Sequence, residues 1–126
     1  MNPKTLVEVA NLALRAQPFD FCLANFLDEF YSAPNAAALA DEPPLLFPAL
    51  SDLGGVQDAY LAATAEELCR VYGFPVPLWT DADTRKLHRP WFASRLASLR
   101  AVLILESPAA FRSRNLFVSE NALTRA

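Results

Sequence analysis

Glycine and histidine are scarce in this chain, and cysteine occurs only twice. The 126 residues include three glycines, one histidine and two cysteines. The three glycines match neither the phosphate-binding loop nor the dinucleotide-binding fingerprint. A single histidine excludes a zinc site built from paired histidines of one chain. These absences argue against nucleotide-loop enzymes and histidine-based metal sites, and we expect no cofactor and no metal.

Long apolar runs are also missing. The longest apolar stretch in the C-terminal half covers residues 101–105, which is far too short to span a bilayer. Glu8 interrupts the N-terminal region, so we expect no secretory signal peptide, no membrane association and a cytoplasmic location. Cys22 and Cys69 stand alone, without a CxxC pair, and are expected to be reduced and buried.

Charge is distributed unevenly along the chain. The formal net charge is −3. Residues 1–80 hold three basic residues against ten acidic ones, whereas residues 81–126 hold eight against four. One interpretation is that the two halves attract each other inside one fold, or that an acidic face meets the basic face of a second copy. The other is that the arginine-rich half contacts an anionic partner.

Apolar residues recur mainly at helical spacing, and strand-like alternation is nearly absent. The sequence therefore predicts an all-α fold: a single compact domain over residues 1–126, with five to seven helices. The first helix is predicted to start at Asn2 as N-cap, with Pro3 at its first position. A second helix follows Asp20 and is apolar over most of its circumference. Such a helix lies at the centre of a fold or at a subunit contact, which leaves a homodimer open.

Prolines dominate the connection that follows, over residues 32–55. They break any long regular element, although residues 36–40 allow one or two helical turns. The apolar residues of this connection predict that it packs on the body, and the pair Gly54-Gly55 is predicted to close it. The next helix is predicted over Val56–Tyr72, with Gly73 ending it.

The C-terminal third is predicted to hold a helix of about fourteen residues that begins near Trp91. A short helix is predicted to open at Ser107-Pro108 and run through Phe111. Residues 115–118 are expected to be extended or an irregular turn. Ser119 is a candidate cap for one last short helix.

The acidic residues of the central helix offer only weak evidence for catalysis. Glu66 and Glu67 are adjacent, so their side chains diverge by about 100° on a helix. Together with Asp58, they are interpreted as a solvated face. His88, flanked by an arginine and a proline, is interpreted as a surface or capping residue and not as a catalytic base.

Arginine, aromatic residues and proline concentrate in two C-terminal segments. Planar guanidinium groups suit carboxylates and phosphates, and aromatic residues beside arginine are typical of protein interfaces. The candidate partner-binding residues are Trp79, Arg85, Arg89, Trp91, Arg95, Phe111, Arg112, Arg114 and Asn115. The alternative is structural: the large aromatic residues form core, and the arginines pair with acids of the first half. A nucleic-acid surface is a third interpretation.

Several of these runs resemble a group of small uncharacterised bacterial proteins. The resemblance lies in Pro90–Ala93, residues 106–118 and the end of the chain at 123–126. An upstream Ala-Glu-Glu-Leu run at residues 65–68 and the Pro-Leu-Trp at 77–79 are similar as well. It covers roughly residues 57–126. Genes of that group often stand beside genes for nucleotidyltransferase-like proteins, in the manner of toxin–antitoxin pairs. The resemblance implies a protein partner and no established activity.

We therefore predict a non-enzymatic helical protein-interaction module, with a nucleotidyltransferase-like protein as a candidate partner. The alternative is a nucleic-acid-binding regulator that uses the basic C-terminal half. Its binding would weaken steeply with salt, because phosphate contacts release counterions. A third hypothesis is an enzyme whose acids and arginines converge from distant segments. One concave pocket that holds two acids and an arginine would support it.

Overall fold

The computed structural model describes residues 2–125 and confirms the all-α single domain. Within those residues the chain forms six α-helices, which agrees with the predicted five to seven. Their bounds are α1 Leu6–Leu14, α2 Phe19–Ser32, α3 Ala37–Ala40, α4 Ser51–Tyr72, α5 Arg100–Glu106 and α6 Ala109–Arg112. Short 3₁₀ turns lie at Leu78–Asp81, Asp83–Arg85 and Ala97–Leu99. Two short strands, β1 Trp91–Phe92 and β2 Leu116–Phe117, pair in parallel.

Helix α1 begins three residues later than the predicted first position at Pro3. Thr5 is its N-cap, and the Thr5 hydroxyl accepts a hydrogen bond from the Glu8 backbone N–H at 3.1 Å. The Glu8 carboxylate accepts the Thr5 backbone N–H in return at 3.1 Å. This reciprocal capping box satisfies two amides that a helix start leaves open, so it takes precedence over the Asn2–Pro3 pair.

Helix α2 lies at the centre of the larger hydrophobic cluster. Its buried residues are Phe19, Cys22, Leu23, Phe26, Leu27 and Phe30, and they pack with the apolar face of α1 and with α4. The largely apolar circumference of α2 is thus explained by its central position. Phe21 is the exception, because it is 62% exposed; the homodimer stays a prediction.

The proline-rich connection packs on the body as predicted, because Leu39 and Leu46 are fully buried. It ends earlier than predicted, however. Helix α4 begins at Ser51, so Gly54 and Gly55 lie inside the helix. A Cβ at Gly54 would stand 2.6 Å from the Leu46 carbonyl oxygen. This glycine therefore lets the connection cross closely over the first turn of α4.

Helix α4 ends as predicted. Gly73 adopts the left-handed conformation with φ of 74°, and the chain then leaves the helix. Glycine has no Cβ to oppose that conformation, which makes it a common residue directly after a helix.

The predicted fourteen-residue fifth helix is wrong. Trp91 and Phe92 form β1, whose backbone hydrogen bonds go to the β2 segment: Trp91 N–H to Asn115 O at 2.8 Å and Ala93 N–H to Phe117 O at 2.9 Å. The Phe92 and Phe117 rings stack with centroids 5.0 Å apart. Tertiary pairing has overridden the helical periodicity here, and α5 keeps only seven residues.

The C-terminal end agrees with the other predictions in part. Helix α6 follows Pro108 as expected, and residues 116–117 are extended. Ser119 is irregular and residues 120–123 form turns, so the last short helix is absent from the part of the chain described. None of the helices within residues 2–125 has the length and apolar character needed to cross a membrane.

Two hydrophobic clusters meet at Tyr60. The larger one is built on α1, α2 and α4, and the smaller one joins α4 to α6 and β2 around Phe111 and Leu116. The Tyr60 ring packs edge-on against Phe111 at 4.9 Å and against Phe19 at 6.1 Å between centroids. Tyr60 therefore connects the two clusters through aromatic contacts.

Candidate functional site

Arg85, one of the nine predicted partner-binding residues, is completely buried. Its guanidinium donates to the Pro43 carbonyl oxygen and to the Asp58 carbonyl oxygen, the latter at 3.4 Å. It also pairs with the Glu42 carboxylate at 3.2 Å and lies 3.6 Å from the Asp58 carboxylate. Arg85 thus fastens the proline-rich connection to α4, and it is unavailable to a partner.

Asp58 is the main acidic neighbour of Arg85, and its predicted place on a solvated face is wrong. The side chain is 1% exposed. It accepts the backbone N–H groups of Leu46 at 2.7 Å and Phe47 at 3.1 Å. Burial raises the pKa of Asp58, against the opposing effect of these two amides and of Arg85. The carboxylate therefore holds the connection in register on α4, which is a structural role.

Arg114 is the second buried arginine. It donates to the Glu66 carboxylate at 2.6 Å, to the Ala110 carbonyl oxygen at 2.6 Å and to the Thr80 carbonyl oxygen at 2.8 Å. These three acceptors come from α4, from α6 and from the first 3₁₀ turn. Because an unpaired buried guanidinium would be costly, its position links three segments and leaves no donor pointing to solvent.

Part of the uneven charge of the sequence is therefore neutralised by ion pairs within the fold. The pairs Arg85–Glu42 and Arg114–Glu66 each join the basic C-terminal half to the acidic first half. Arg125 adds a third such pair with Asp28 at 2.9 Å, at the surface. This confirms the interpretation in which the two halves attract each other within one fold.

Of the three aromatic candidates, one is buried and two are partly buried. Phe111 is fully buried, and Trp91 packs against the same cluster. Trp79 donates its indole N–H to the Leu39 carbonyl oxygen at 3.3 Å, and the Arg85 guanidinium lies 5.0 Å from its ring centroid. The prediction of a partner surface is corrected for Arg85, Phe111 and Arg114, because they are buried. For Trp79 and Trp91, which are partly buried, it stays a prediction.

Asn115 has a structural role of a different kind. It adopts a positive φ of 64°, which asparagine tolerates better than most residues. Its side-chain amide donates to the Leu87 carbonyl oxygen at 2.7 Å. Asn115 therefore sets the entry into β2. It is partly buried, and its predicted role in partner binding stays a prediction.

Three of the nine candidates remain at the surface. Arg89, Arg95 and Arg112 are exposed, and within the described residues none of them makes an ion pair. Arg112 donates only a long hydrogen bond, at 3.4 Å, to the Ser107 carbonyl oxygen. The charged part of the predicted surface is thus reduced to these arginines, with Arg100 beside them.

An exposed apolar stripe lies next to Arg95 and Arg100. Leu96, Leu99, Val102 and Leu105 follow one another at a spacing of three, through the last 3₁₀ turn and along α5. Leu105 is 82% exposed and Leu96 is 62% exposed. Only Leu103 of α5 is buried. We call these four residues the α5 stripe; large adjacent apolar side chains at a surface are typical of interaction sites.

The sequence contains a signal for this stripe. Residues 101–105 are apolar without interruption. A helix with no polar side has to expose apolar residues unless it is surrounded by protein. A fourteen-residue helix could bury several of these apolar side chains along one long face. The seven residues of α5 bury only Leu103.

A cavity of about 370 Å³ brings two acids and an arginine together near the end of α4. Its lining includes Glu67, Glu120 and Arg125, with the rings of Tyr31 and Tyr72. Arg125 is already paired with Asp28, and one oxygen of Glu67 is paired with Arg70 at 2.6 Å. Glu120 makes no ion pair within the described residues. The cavity thus holds the two acids and the arginine that would support the enzyme hypothesis, with Glu67 and Arg125 already paired.

Metal binding and thiol chemistry have no comparable site. Among residues 2–125, no group of three histidine, cysteine or acidic side chains is arranged to hold a metal ion. Cys22 and Cys69 are free and buried, as expected. Burial raises the pKa of both thiols, which keeps them protonated and poorly reactive at neutral pH.

Comparisons with known proteins returned no family. The chain matches no protein-family model, no curated protein and no solved structure.

Proposed function

We propose that this protein is a helical protein-interaction module whose docking element is the α5 stripe. The observation that carries the proposal is the exposure of four large apolar residues spaced three apart. Leu96 and Leu99 lie at the 3₁₀ turn before α5, and Val102 and Leu105 lie on α5, which buries one side chain. Burying a fully exposed leucine contributes about 1.5–3 kcal/mol. Leu105 is 82% exposed and comes nearest to this case, whereas Leu99 and Val102, at 40% and 43% exposed, have less area left to bury. Helices that present apolar residues at such spacings commonly dock into apolar grooves.

The charges around the α5 stripe define the partner's chemistry. Arg95 precedes the stripe and Arg100 lies within it, both exposed, whereas Glu106 is the single acid between residues 95 and 106. A partner surface with an apolar groove and carboxylates at its rim would complement this arrangement. A nucleotidyltransferase-like protein, the class suggested by the sequence resemblance, is the first candidate partner to test.

The nucleic-acid alternative has less support. Of the eight basic residues after position 80, Arg85 and Arg114 are buried in ion pairs. Lys86 and Arg125 are paired at the surface with acids. Half of the predicted basic charge is therefore neutralised within the protein, which weakens a surface that would have to contact phosphates.

The test compares two matched substitutions of exposed leucines. Leu105→Glu alters the α5 stripe, and Leu78→Glu places the same change on a leucine that is 94% exposed elsewhere. Both proteins should fold normally, because neither side chain is part of the core. We expect nuclease-treated host extract to yield one stoichiometric partner with the wild type and with Leu78→Glu, and loss of that partner with Leu105→Glu.

Two results would contradict this proposal. Retention of the same partner by Leu105→Glu would remove the α5 stripe from the interface. Loss of the bound material on nuclease treatment, with a steep decrease in binding between low and high salt, would favour the nucleic-acid alternative. Light scattering gives the molar mass of the purified chain, and a dimer mass that Leu105→Glu abolishes would show self-association through the α5 stripe instead.

A further inference from the structure

Gly55 is a glycine that the fold itself does not require. It lies inside α4, and its backbone does not adopt the left-handed conformation. A Cβ at Gly55 would meet no atom of residues 2–125 within 4 Å. Gly54 differs, because its Cβ would stand 2.6 Å from the Leu46 carbonyl oxygen. Glycine is less favourable than alanine inside a helix, so Gly55 needs a reason other than packing or backbone conformation.

Two adjoining cavities share Gly55 in their lining. Their volumes are about 340 and 550 Å³, and Phe47 and Leu87 also line both of them. We call the two cavities together the Gly55 groove. Small-molecule sites usually have volumes of about 300–1,000 Å³, so each cavity has room for a small ligand. Because Gly55 has no side chain, a molecule in this groove can approach the backbone of α4 closely.

Apolar and aromatic side chains supply much of the wall of the groove. Phe47 is 51% exposed, so its ring is accessible from the groove. Asp58 accepts the Phe47 backbone N–H at 3.1 Å, which fastens this wall to α4. Leu45 lines the smaller cavity, and Val56 and Trp91 line the larger one. Such walls favour an aromatic ligand, because ring pairs are stabilised beyond the area that they bury.

The charged residues around the groove do not select an ion. Lys86 lines both cavities but is paired with Asp81 at 2.9 Å. Asp52 and Arg89 line the larger cavity, one charge of each sign, and Asp83 lines the smaller one. These last three side chains are exposed, and none of them forms an ion pair with another described residue. Their signs are mixed and solvent screens them, so an uncharged ligand fits best.

We propose that the Gly55 groove binds a small, flat, uncharged aromatic molecule. The ring would lie against the α4 backbone at Gly55 and contact the side chains of Phe47 and Leu87. A bare backbone admits a flat ring more closely than a methyl group would. Binding thus gives α4 a reason to keep a glycine where alanine would make a more stable helix. The groove shares no residue with the α5 stripe, so this proposal does not depend on the interaction proposal.

The test is an NMR titration of the full chain with phenol at neutral pH, followed at the backbone amides of Gly55 and Leu87. Cyclohexanol is the matched ligand control, because it has the same ring size and hydroxyl group without the flat aromatic ring. We expect saturable shifts with phenol and about three- to tenfold weaker binding of cyclohexanol. Benzoate and benzylammonium should bind no more tightly than phenol. Binding of either ion about tenfold more tightly than phenol would overturn the assignment to an uncharged ligand.

Variants test the role of the missing side chain. Gly55→Ala should raise the melting temperature by about 2–4 °C and weaken phenol binding at least about tenfold, because the added methyl group occupies the groove. Asn11→Ala is the stability control: it favours helix at an exposed position of α1 outside the groove and should leave binding unchanged. Leu105→Glu, which alters the α5 stripe, should also leave phenol binding unchanged.

Phe47→Leu tests the aromatic wall independently of Gly55. It keeps an apolar side chain at a half-exposed position and should weaken phenol binding about three- to tenfold. Undiminished phenol binding by Gly55→Ala or by Phe47→Leu would overturn the proposal. Equal binding of phenol and cyclohexanol, or no saturable shift at about 20 mM phenol, would overturn it as well.

Discussion

Tyr60 offers a sharp prediction about stability, because its hydroxyl is ionisable and its ring is enclosed. Burial, assisted by the negative charge of Asp20, raises the pKa of Tyr60 from 10.0 to about 12. Between these two values the unfolded chain has released the Tyr60 proton and the folded protein has kept it. The unfolded state then binds fewer protons, so the free energy of unfolding decreases as pH rises.

The size of this effect follows from the shift itself. One pKa unit corresponds to about 1.4 kcal/mol, so Tyr60 should lower the free energy of unfolding by about 1.4 kcal/mol at about pH 11. The contribution reaches about 2.7 kcal/mol once the pH exceeds both values. Below about pH 9 it vanishes, since the phenol is then protonated in both states.

The measurement compares wild type with Tyr60→Phe by urea unfolding at several pH values, followed by circular dichroism. Tyr60→Phe keeps the ring contacts with Phe19 and Phe111 and removes only the ionisable group. We expect the free energy of unfolding of the variant to increase relative to that of the wild type as pH rises above about 10. All other titrating groups are shared, so the difference isolates Tyr60. Parallel stability curves for the two proteins up to about pH 11 would refute the reasoning.

Two further predictions use neighbouring positions as controls. Gly55→Ala should stabilise the protein by about 0.5–1 kcal/mol, since its Cβ meets no atom within 4 Å and alanine favours helix. Gly54→Ala should destabilise it by about 1–3 kcal/mol, because its Cβ would overlap the Leu46 backbone; a rise in melting temperature for Gly54→Ala, or a fall for Gly55→Ala, would contradict the corresponding prediction. Arg114→Met should cost about 2–4 kcal/mol by leaving its buried acceptors unsatisfied, against about 0.5 kcal/mol or less for exposed Arg112→Met. Equal urea midpoints for the two arginine variants would show that the buried contacts contribute nothing.

Local sequence patterns were sufficient to predict that the fold is all-α. Periodic apolar residues predicted α1, α2 and the main part of α4, and Gly73 predicted the end of α4 because few other residues adopt its conformation easily. The start of α4 was misjudged for a physical reason. A glycine pair normally indicates a turn, but Gly54 is required inside the helix by the close approach of Leu46. That approach involves residues eight positions apart, and the helix propensities of individual residues carry no information about such a contact.

The candidate site was predicted less well. Arginine and tryptophan are enriched at protein interfaces, but they are equally able to lie in the interior when the arginine is paired with an acid. Arg85 and Arg114 differ from Arg89 and Arg112 only in what the fold brings near them. The α5 stripe could have been anticipated from its uninterrupted apolar run. A helix that begins at Trp91 would place these residues on a longer, partly buried helix, and for that reason the exposed stripe was not predicted.

The sequence by itself determined the all-α class, the proline-rich connection and the opposite charges of the two halves, because these depend on composition and on contacts between near neighbours. Only the tertiary structure decided where the charges go. Arg85 meets Glu42 and Arg114 meets Glu66 across separations of 43 and 48 residues. Pairing of β1 with β2 shortened α5 and exposed its stripe. Such contacts depend on the whole chain packing at once, so no local pattern encodes them.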